Sequence, residues 1–176
     1  MDEAFRHLSV SYPKFYKMDR LSKLGFLGTE VLLQNSSLLT RYTRDQVALV
    51  LANASSSLDT DLRFAESMKT IPSPALFVYT LPNIVAGEIC IRHGLKGENA
   101  FFILPEFNAK QMADYVTQVM ASEKTGACIG GWIEVMGEHH DVFLYLAEKE
   151  RSTIGVEHTA GQLHKIYNQH YGTIDG

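Results

Sequence analysis

Gln46–Asn53 reads Gln-Val-Ala-Leu-Val-Leu-Ala-Asn, an unbroken apolar run that ends in the small-residue turn Ala54-Ser55-Ser56-Ser57. The run is short and its apolar residues do not alternate with polar ones, which suits a strand buried on both faces. Such a strand needs a layer on each side of its sheet, and this requirement shapes everything around it. Ala100–Leu104 is a second buried strand candidate. Thr125–Val135 is a third, with Gly130-Gly131 as a bulge or a point of close backbone approach. Val142–Ala147 is a fourth, expected to pair antiparallel to the third across a turn at Glu138-His139-His140-Asp141.

Helical patterns fill the gaps. Over residues 14–35, Phe15, Met18, Leu21, Leu24, Leu27, Val31 and Leu32 recur at three- and four-residue steps, and Asn35-Ser36-Ser37 ends the run. Leu58–Met68 has mixed helical character, and residues 74–93 form a further helical stretch interrupted or started by Pro82. Gly94 suits the C-terminal end of that helix. Asn108 is positioned to cap a helix running to about Glu123, with Met112, Tyr115, Val116, Val119 and Met120 on one face. From Ile154 onward, Val156, Ala160, Leu163, Ile166 and Tyr167 indicate a last helix, and Gly172–Gly176 reads as a loose end. The order α-β-α-β-α-β-β-α predicts a layered α/β domain with a mostly parallel sheet and an antiparallel edge hairpin. The expected division is a main unit over 1–153 and a C-terminal helix and tail over 154–176.

At 176 residues and 45% hydrophobic, the chain is long enough for one buried core. A net charge of −4 and the lack of a basic block argue against nucleic acid as a partner. The apolar runs are too short to span a membrane, and Met1-Asp2-Glu3 does not open like a signal peptide. A cytoplasmic protein is the expectation. Cys90 and Cys128 sit inside apolar segments and read as small buried hydrophobes rather than reactive thiols. His139-His140 is an adjacent pair whose side chains would point to opposite faces of a strand, which does not favour one shared ion. His158 and His164 fall in the predicted tail helix six residues apart, not at a ligand spacing. No metal or cofactor is implied.

Residues 72–134 carry a more specific pattern. Pro72-Ser73-Pro74-Ala75-Leu76-Phe77 leads into Leu81-Pro82-Asn83-Ile84-Val85-Ala86-Gly87-Glu88-Ile89. His93-Gly94-Leu95-Lys96-Gly97-Glu98-Asn99, the Ala100–Leu104 strand and a helix follow, and Gly130-Gly131-Trp132-Ile133-Glu134 closes the series. This order resembles the N-terminal half of β-ketoacyl-ACP synthases, members of the thiolase-like superfamily. The resemblance covers roughly residues 14–149 and implies a layered thiolase-like half-domain. The family's first strand, ahead of residue 14, and its second half have no counterpart here.

In that family the strand after the Gly turn ends at a nucleophilic cysteine on a tight strand-to-helix turn. Here the corresponding stretch reads Leu104-Pro105-Glu106-Phe107. The family's spacing puts Glu106 at the nucleophile position, with Pro105 or Phe107 as register alternatives. A carboxylate is a feeble acyl acceptor, whereas an acidic residue near the start of a helix is favoured by the helix dipole. His93, at a predicted helix C-terminus, reads as a favourable cation there, and Trp132 as a packing or interface aromatic. Glu88, Glu134 and Asp141 lack a partner at acid/base spacing.

The resemblance therefore implies a catalytically silent accessory subunit. Its expected partners are a second copy, a full-length ketosynthase or an acyl carrier protein in a fatty-acid or polyketide-type pathway. Family pairing runs through the strand before the nucleophile and the helix after it, so the expected interface comprises Phe101, Phe102, Ile103, Leu104, Met112 and Tyr115. The alternative is a reduced enzyme acting on acyl-ACP or acyl-CoA, of the 3-oxoacyl-ACP synthase type, drawing on Glu106, His93 or the Ser55–Ser57 loop.

Overall fold

The computed structural model describes residues 1–150 and 155–171, with side chains through Gln169. In chain order the elements are α1 (Asp2–His7), a 3₁₀ turn (Pro13–Lys17), α2 (Arg20–Gln34), α3 (Leu38–Arg41), a second 3₁₀ turn (Arg44–Gln46) and β1 (Val47–Asn53). Then come α4 (Leu58–Ser67), α5 (Pro74–Phe77), α6 (Ile84–His93), β2 (Asn99–Ile103), α7 (Ala109–Ala121), β3 (Ala127–Met136), β4 (His139–Glu148) and α8 (Ala160–Tyr171).

The four strands form one sheet in the order β2-β1-β3-β4. β1 pairs parallel with both β2 and β3, while β4 runs antiparallel to β3. All seven residues of β1 are buried, as an unbroken apolar strand between two neighbours and two layers must be. Its side chains alternate between two cores. Val47, Leu49 and Leu51 join Leu21, Val85, Ile89, Ile129 and Ile133 under α2 and α6. Ala48, Val50 and Ala52 join Met112, Val116, Cys128 and Trp132 under α7. α8 lies along α7, with Leu163 against Ala109 and Ala113. The layered, mostly parallel sheet with an antiparallel edge hairpin is therefore the architecture of the chain.

Several local expectations are corrected. The helix expected over 14–35 is two elements. Phe15 is buried from the 3₁₀ turn and Met18 from the extended residue after it, and α2 starts only at Arg20. The break is made by Asp19, whose side chain accepts the Ser22 amide at 2.9 Å and so caps the helix. Residues 74–93 are likewise divided, with α5 and α6 separated by a turn that contains Pro82. The β3–β4 turn is shorter than 138–141. Met136 pairs with His139, so Gly137-Glu138 is a two-residue loop, and Gly137 takes a φ of +57° that suits such a hairpin. Gly130 and Gly131 pair in continuous register and form no bulge. The tail helix starts at Ala160, so His158 precedes it, and its ring lies 5.5 Å from that of Tyr145. The division between 153 and 154 and the tail at 172–176 lie outside the described residues.

Candidate functional site

The β2–α7 turn is built by the ladder that precedes it and the cap that follows. Leu104 donates its amide to the Asn53 carbonyl at 2.8 Å, which carries the β1–β2 pairing one residue past the strand. Pro105 and Glu106 are then exposed. Phe107 turns back under the sheet's α7 side, with ring centroids 4.3 Å from Tyr167, 5.3 Å from Phe143 and 6.3 Å from Trp132. Asn108 accepts the Gln111 amide at 2.9 Å and caps α7. Glu106 therefore stands two residues ahead of the cap, on the surface. Trp132 is 4% exposed and packs against the α7-side core.

β2 is an edge of the sheet, pairing with β1 on one side only among the described residues. Phe101 packs on the core under α2 and α6, and Phe102 on the opposite core. The Phe102 ring meets Tyr115 edge-on at 4.7 Å. Ile103 is 49% exposed at the strand's end. Met112 points into the sheet and is fully buried, and Leu104 is nearly so. Of the expected interface set, Ile103 is thus exposed, Phe101, Phe102 and Tyr115 are half-buried against the two cores, and Leu104 and Met112 are buried.

The other sequence candidates are dispersed. β1 and β2 are parallel, so the Ser55–Ser57 loop and Glu106 lie at the same C-terminal edge of the sheet. His93 ends α6 at the opposite edge, where the Lys96 amide meets the Arg44 carbonyl at 2.9 Å. Burial holds the His93 imidazole below the ordinary histidine range; Glu30 opposes this, while Arg92 and Arg44 add to it. His93 therefore favours the neutral form, and Arg92 is the cation of that helix end, its Nε 2.6 Å from Glu30 Oε1. The serine loop is braced by Asn53, which accepts the Ser56 amide at 3.0 Å and donates to the Ser56 carbonyl at 2.8 Å. Ser57 Oγ lies 3.1 Å from both Asp61 Oδ2 and the Thr80 carbonyl, which share its one proton, a structural arrangement with no imidazole in it.

Neither cysteine supplies a thiolate. Cys128 is fully buried, and burial, with Glu98 adding, pushes its thiol up to about 12. Cys90 is half-buried and is likewise raised by burial. Among the described residues no three His, Cys, Asp or Glu side chains gather as a metal site. No helix among them is long and apolar enough to cross a membrane.

Sequence reasoning missed the partners of the buried acids. Glu88 faces Lys14 Nζ at 2.8 Å and accepts from the Tyr79 hydroxyl at 3.1 Å. Glu134 accepts two backbone amides of the serine loop. Asp141 accepts from the Tyr167 hydroxyl at 2.9 Å. Each is a structural anchor, joined to residues distant in sequence.

No family model and no curated protein matches the chain. Solved structures do. The ishigamide ketosynthase/chain length factor matches with a TM-score of 0.61 at 21% identity, over 76% of this chain and 44% of that one. A ketosynthase (ApeO) in complex with its chain length factor (ApeC) from Xenorhabdus doucetiae gives 0.51 at 16% identity, over 72% and 51%. A complex of a type II PKS acyl-carrier protein with its ketosynthase bound to the hexaketide (AntDE:AntF) gives 0.56 at 13%, over 76% and 44%. The fold is the thiolase-like fold of these proteins, and the chain spans about half the length of the structures it matches.

Proposed function

We propose that this chain is a ketosynthase-like accessory subunit without condensing chemistry of its own, acting by binding a partner. The partner is a full-length ketosynthase or a second copy, with an acyl carrier protein as a further contact. The observation that carries the reading is the β2–α7 turn. Where a thiolase-like condensing enzyme needs a thiol, the turn presents exposed Pro105 and Glu106, and the cysteines lie elsewhere, Cys128 buried and Cys90 half-buried. The same strand that leads to the turn is a sheet edge ending in exposed Ile103. An unpaired strand edge is a ready template for another chain. The solved complexes that share the fold pair a ketosynthase with a chain length factor or with a carrier protein.

Two measurements test this. Incubation with radiolabelled acyl-ACP should leave no covalent label on the chain; label that survives denaturation and is lost in Cys90→Ala or Cys128→Ala would overturn the silent reading. Light scattering should give a mass above the 19.7 kDa of one chain. Ile103→Lys, at an exposed strand end, should shift the mass toward monomer without unfolding the protein. A wild-type chain that remains monomeric alone and with a full-length ketosynthase would remove the accessory role. His93 stands at the opposite edge of the sheet from Glu106 and the serine loop, and this gives no observation in favour of the reduced enzyme.

A further inference from the structure

β4 is the sheet's other edge, and it lacks the devices that ordinarily guard one. It runs ten residues, His139–Glu148, against five in β2. Its pairing with β3 keeps an unbroken register, so it carries no bulge. Between polar ends lies the apolar run Val142–Ala147, and the strand contains neither proline nor lysine. Soluble proteins keep edge strands short, bulged, or marked by proline or lysine, because a long apolar edge recruits another strand.

Backbone alternation identifies the unpaired groups. The Lys149 amide donates to the Gly126 carbonyl at 3.0 Å, and the Phe143 carbonyl oxygen lies against Gly131 of β3. Odd-numbered residues therefore turn their amides and carbonyls toward β3, and Val142, Leu144 and Leu146 turn theirs outward. Among the described residues no strand meets them there. The side chains of these three lie on the α2 side of the sheet. On that side an open apolar groove of about 780 Å³ runs between α1, α2 and β4, lined by Leu24, Val31, Val142 and Leu144. Val31 is 60% exposed on its wall.

We propose that β4 pairs antiparallel with β4 of a second copy, about a two-fold axis at Leu144. A two-fold contact needs a strand that complements itself, and this register supplies one. With Leu144 opposite its own copy, Val142 meets Leu146 on the α2 side, and Phe143 meets Tyr145 on the other face. Aliphatic thus faces aliphatic and aromatic faces aromatic, the pairs that stabilise neighbouring strands. Asp141, already bonded to Tyr167, meets only the small Ala147. At each end His140 meets Glu148, an imidazole against a carboxylate. Glu148 already pairs with Arg41, so this end contact fixes register more than it adds affinity. Sliding the register by two residues sets His140 against Leu146, or Glu148 against Val142. In the matched register Leu144 and Leu146 of the second copy enter the groove beside α2.

The contact lies on the edge opposite β2 and stands or falls independently of partner binding there. Light scattering of the full chain should give at least twice the 19.7 kDa of one chain. Ile103→Lys, at the other edge, should lower the mass no further than this dimer. In that background Leu144→Lys and Leu144→Glu should each give a single-chain mass, because like charges meet across the axis. An equal mixture of the two should recover the dimer. Hydrogen exchange needs no change in β4: the amides of Val142, Leu144 and Leu146 should be protected in concentrated protein and exchange faster on dilution. A single-chain mass for Ile103→Lys would overturn this contact while leaving the reading of β2 intact. So would fast exchange at the three amides in concentrated protein, protection that dilution does not relieve, or folded Leu144→Lys and Leu144→Glu proteins that remain dimeric alone.

Discussion

Glu134 Oε2 accepts the backbone amide of Ala54 at 2.6 Å, and that of Ser55 at 3.1 Å, across 80 and 79 residues of sequence. The carboxylate is 5% exposed and stands near the end of β3, so it holds the turn that leaves β1. Two neighbouring amides that would otherwise be orphaned at the end of a buried strand are satisfied by one side chain.

Removing that acceptor should cost more than neutralising it. Glu134→Ala leaves both amides without the carboxylate and should lose about 2–6 kcal/mol, at about 1–3 kcal/mol for each group left unmade. Glu134→Gln keeps a carbonyl acceptor but exchanges charge-assisted bonds for neutral ones, and should lose about 1 kcal/mol. Urea denaturation gives the order, and hydrogen exchange at Ser55 localises it. An Ala variant as stable as the wild type would show that the anchor is dispensable.

Asp19 offers a pH test. Its carboxylate caps α2 and also accepts from the Thr60 hydroxyl at 2.8 Å, yet burial outweighs these bonds and raises it above its ordinary value of 3.8. A raised acid binds its proton more tightly folded than unfolded. Its contribution thus favours folding at low pH and is lost as pH rises from about 3.8 through the folded value. Asn keeps the oxygen that accepts the Ser22 amide and has no proton to lose. The stability of Asp19→Asn relative to wild type should therefore improve from pH 3.5 to pH 7, measured by urea unfolding at each pH. Parallel pH profiles would contradict the assignment.

The same residue shows where the sequence was opaque. Phe15 and Met18 continue the apolar spacing of α2 back across Asp19, so periodicity alone joins two elements that the capping carboxylate separates. β1 was legible because Val47–Asn53 is buried throughout and its composition says so directly. The β3–β4 turn was misplaced because His139 and His140 are polar. An edge strand tolerates exposed polar side chains, and both are exposed within β4. At the candidate site, the missing thiol and the apolar strand leading to Glu106 could be read from the residues. The edge position of β2 could not, because strand order depends on how the crossovers pack. The buried acids were least legible of all: Asp19 meets Thr60 across 41 residues and Glu134 meets Ala54 across 80, distances that no local pattern encodes.

The cysteines should behave as packing residues. Cys128 is fully buried with its thiol pushed up to about 12, and Cys90 is half-buried and raised. At pH 8 the folded protein should react with iodoacetamide slowly at Cys90 and not measurably at Cys128, and both should react in denaturant. Mass spectrometry after timed quenching follows each site. Rapid native labelling at Cys128 would mean a thiolate is present, and with it a candidate nucleophile.

Two glycines should respond in opposite directions to the same substitution. Gly131 lies in β3 opposite β4, where a Cβ would run into the Phe143 carbonyl oxygen and the Leu144 backbone. Backbone cannot move aside as a flexible side chain can, so Gly131→Ala should lose about 2–3 kcal/mol. Gly87 lies inside α6, exposed, with nothing within 4 Å of its would-be Cβ. There alanine restricts the unfolded chain and fits the helix, so Gly87→Ala should gain about 0.4–1 kcal/mol. Chemical denaturation of the two variants beside the wild type decides both. A Gly131→Ala protein of unchanged stability would mean that β3 and β4 are not in close register at this point, and a destabilised Gly87→Ala protein would mean that this face of α6 is covered in solution.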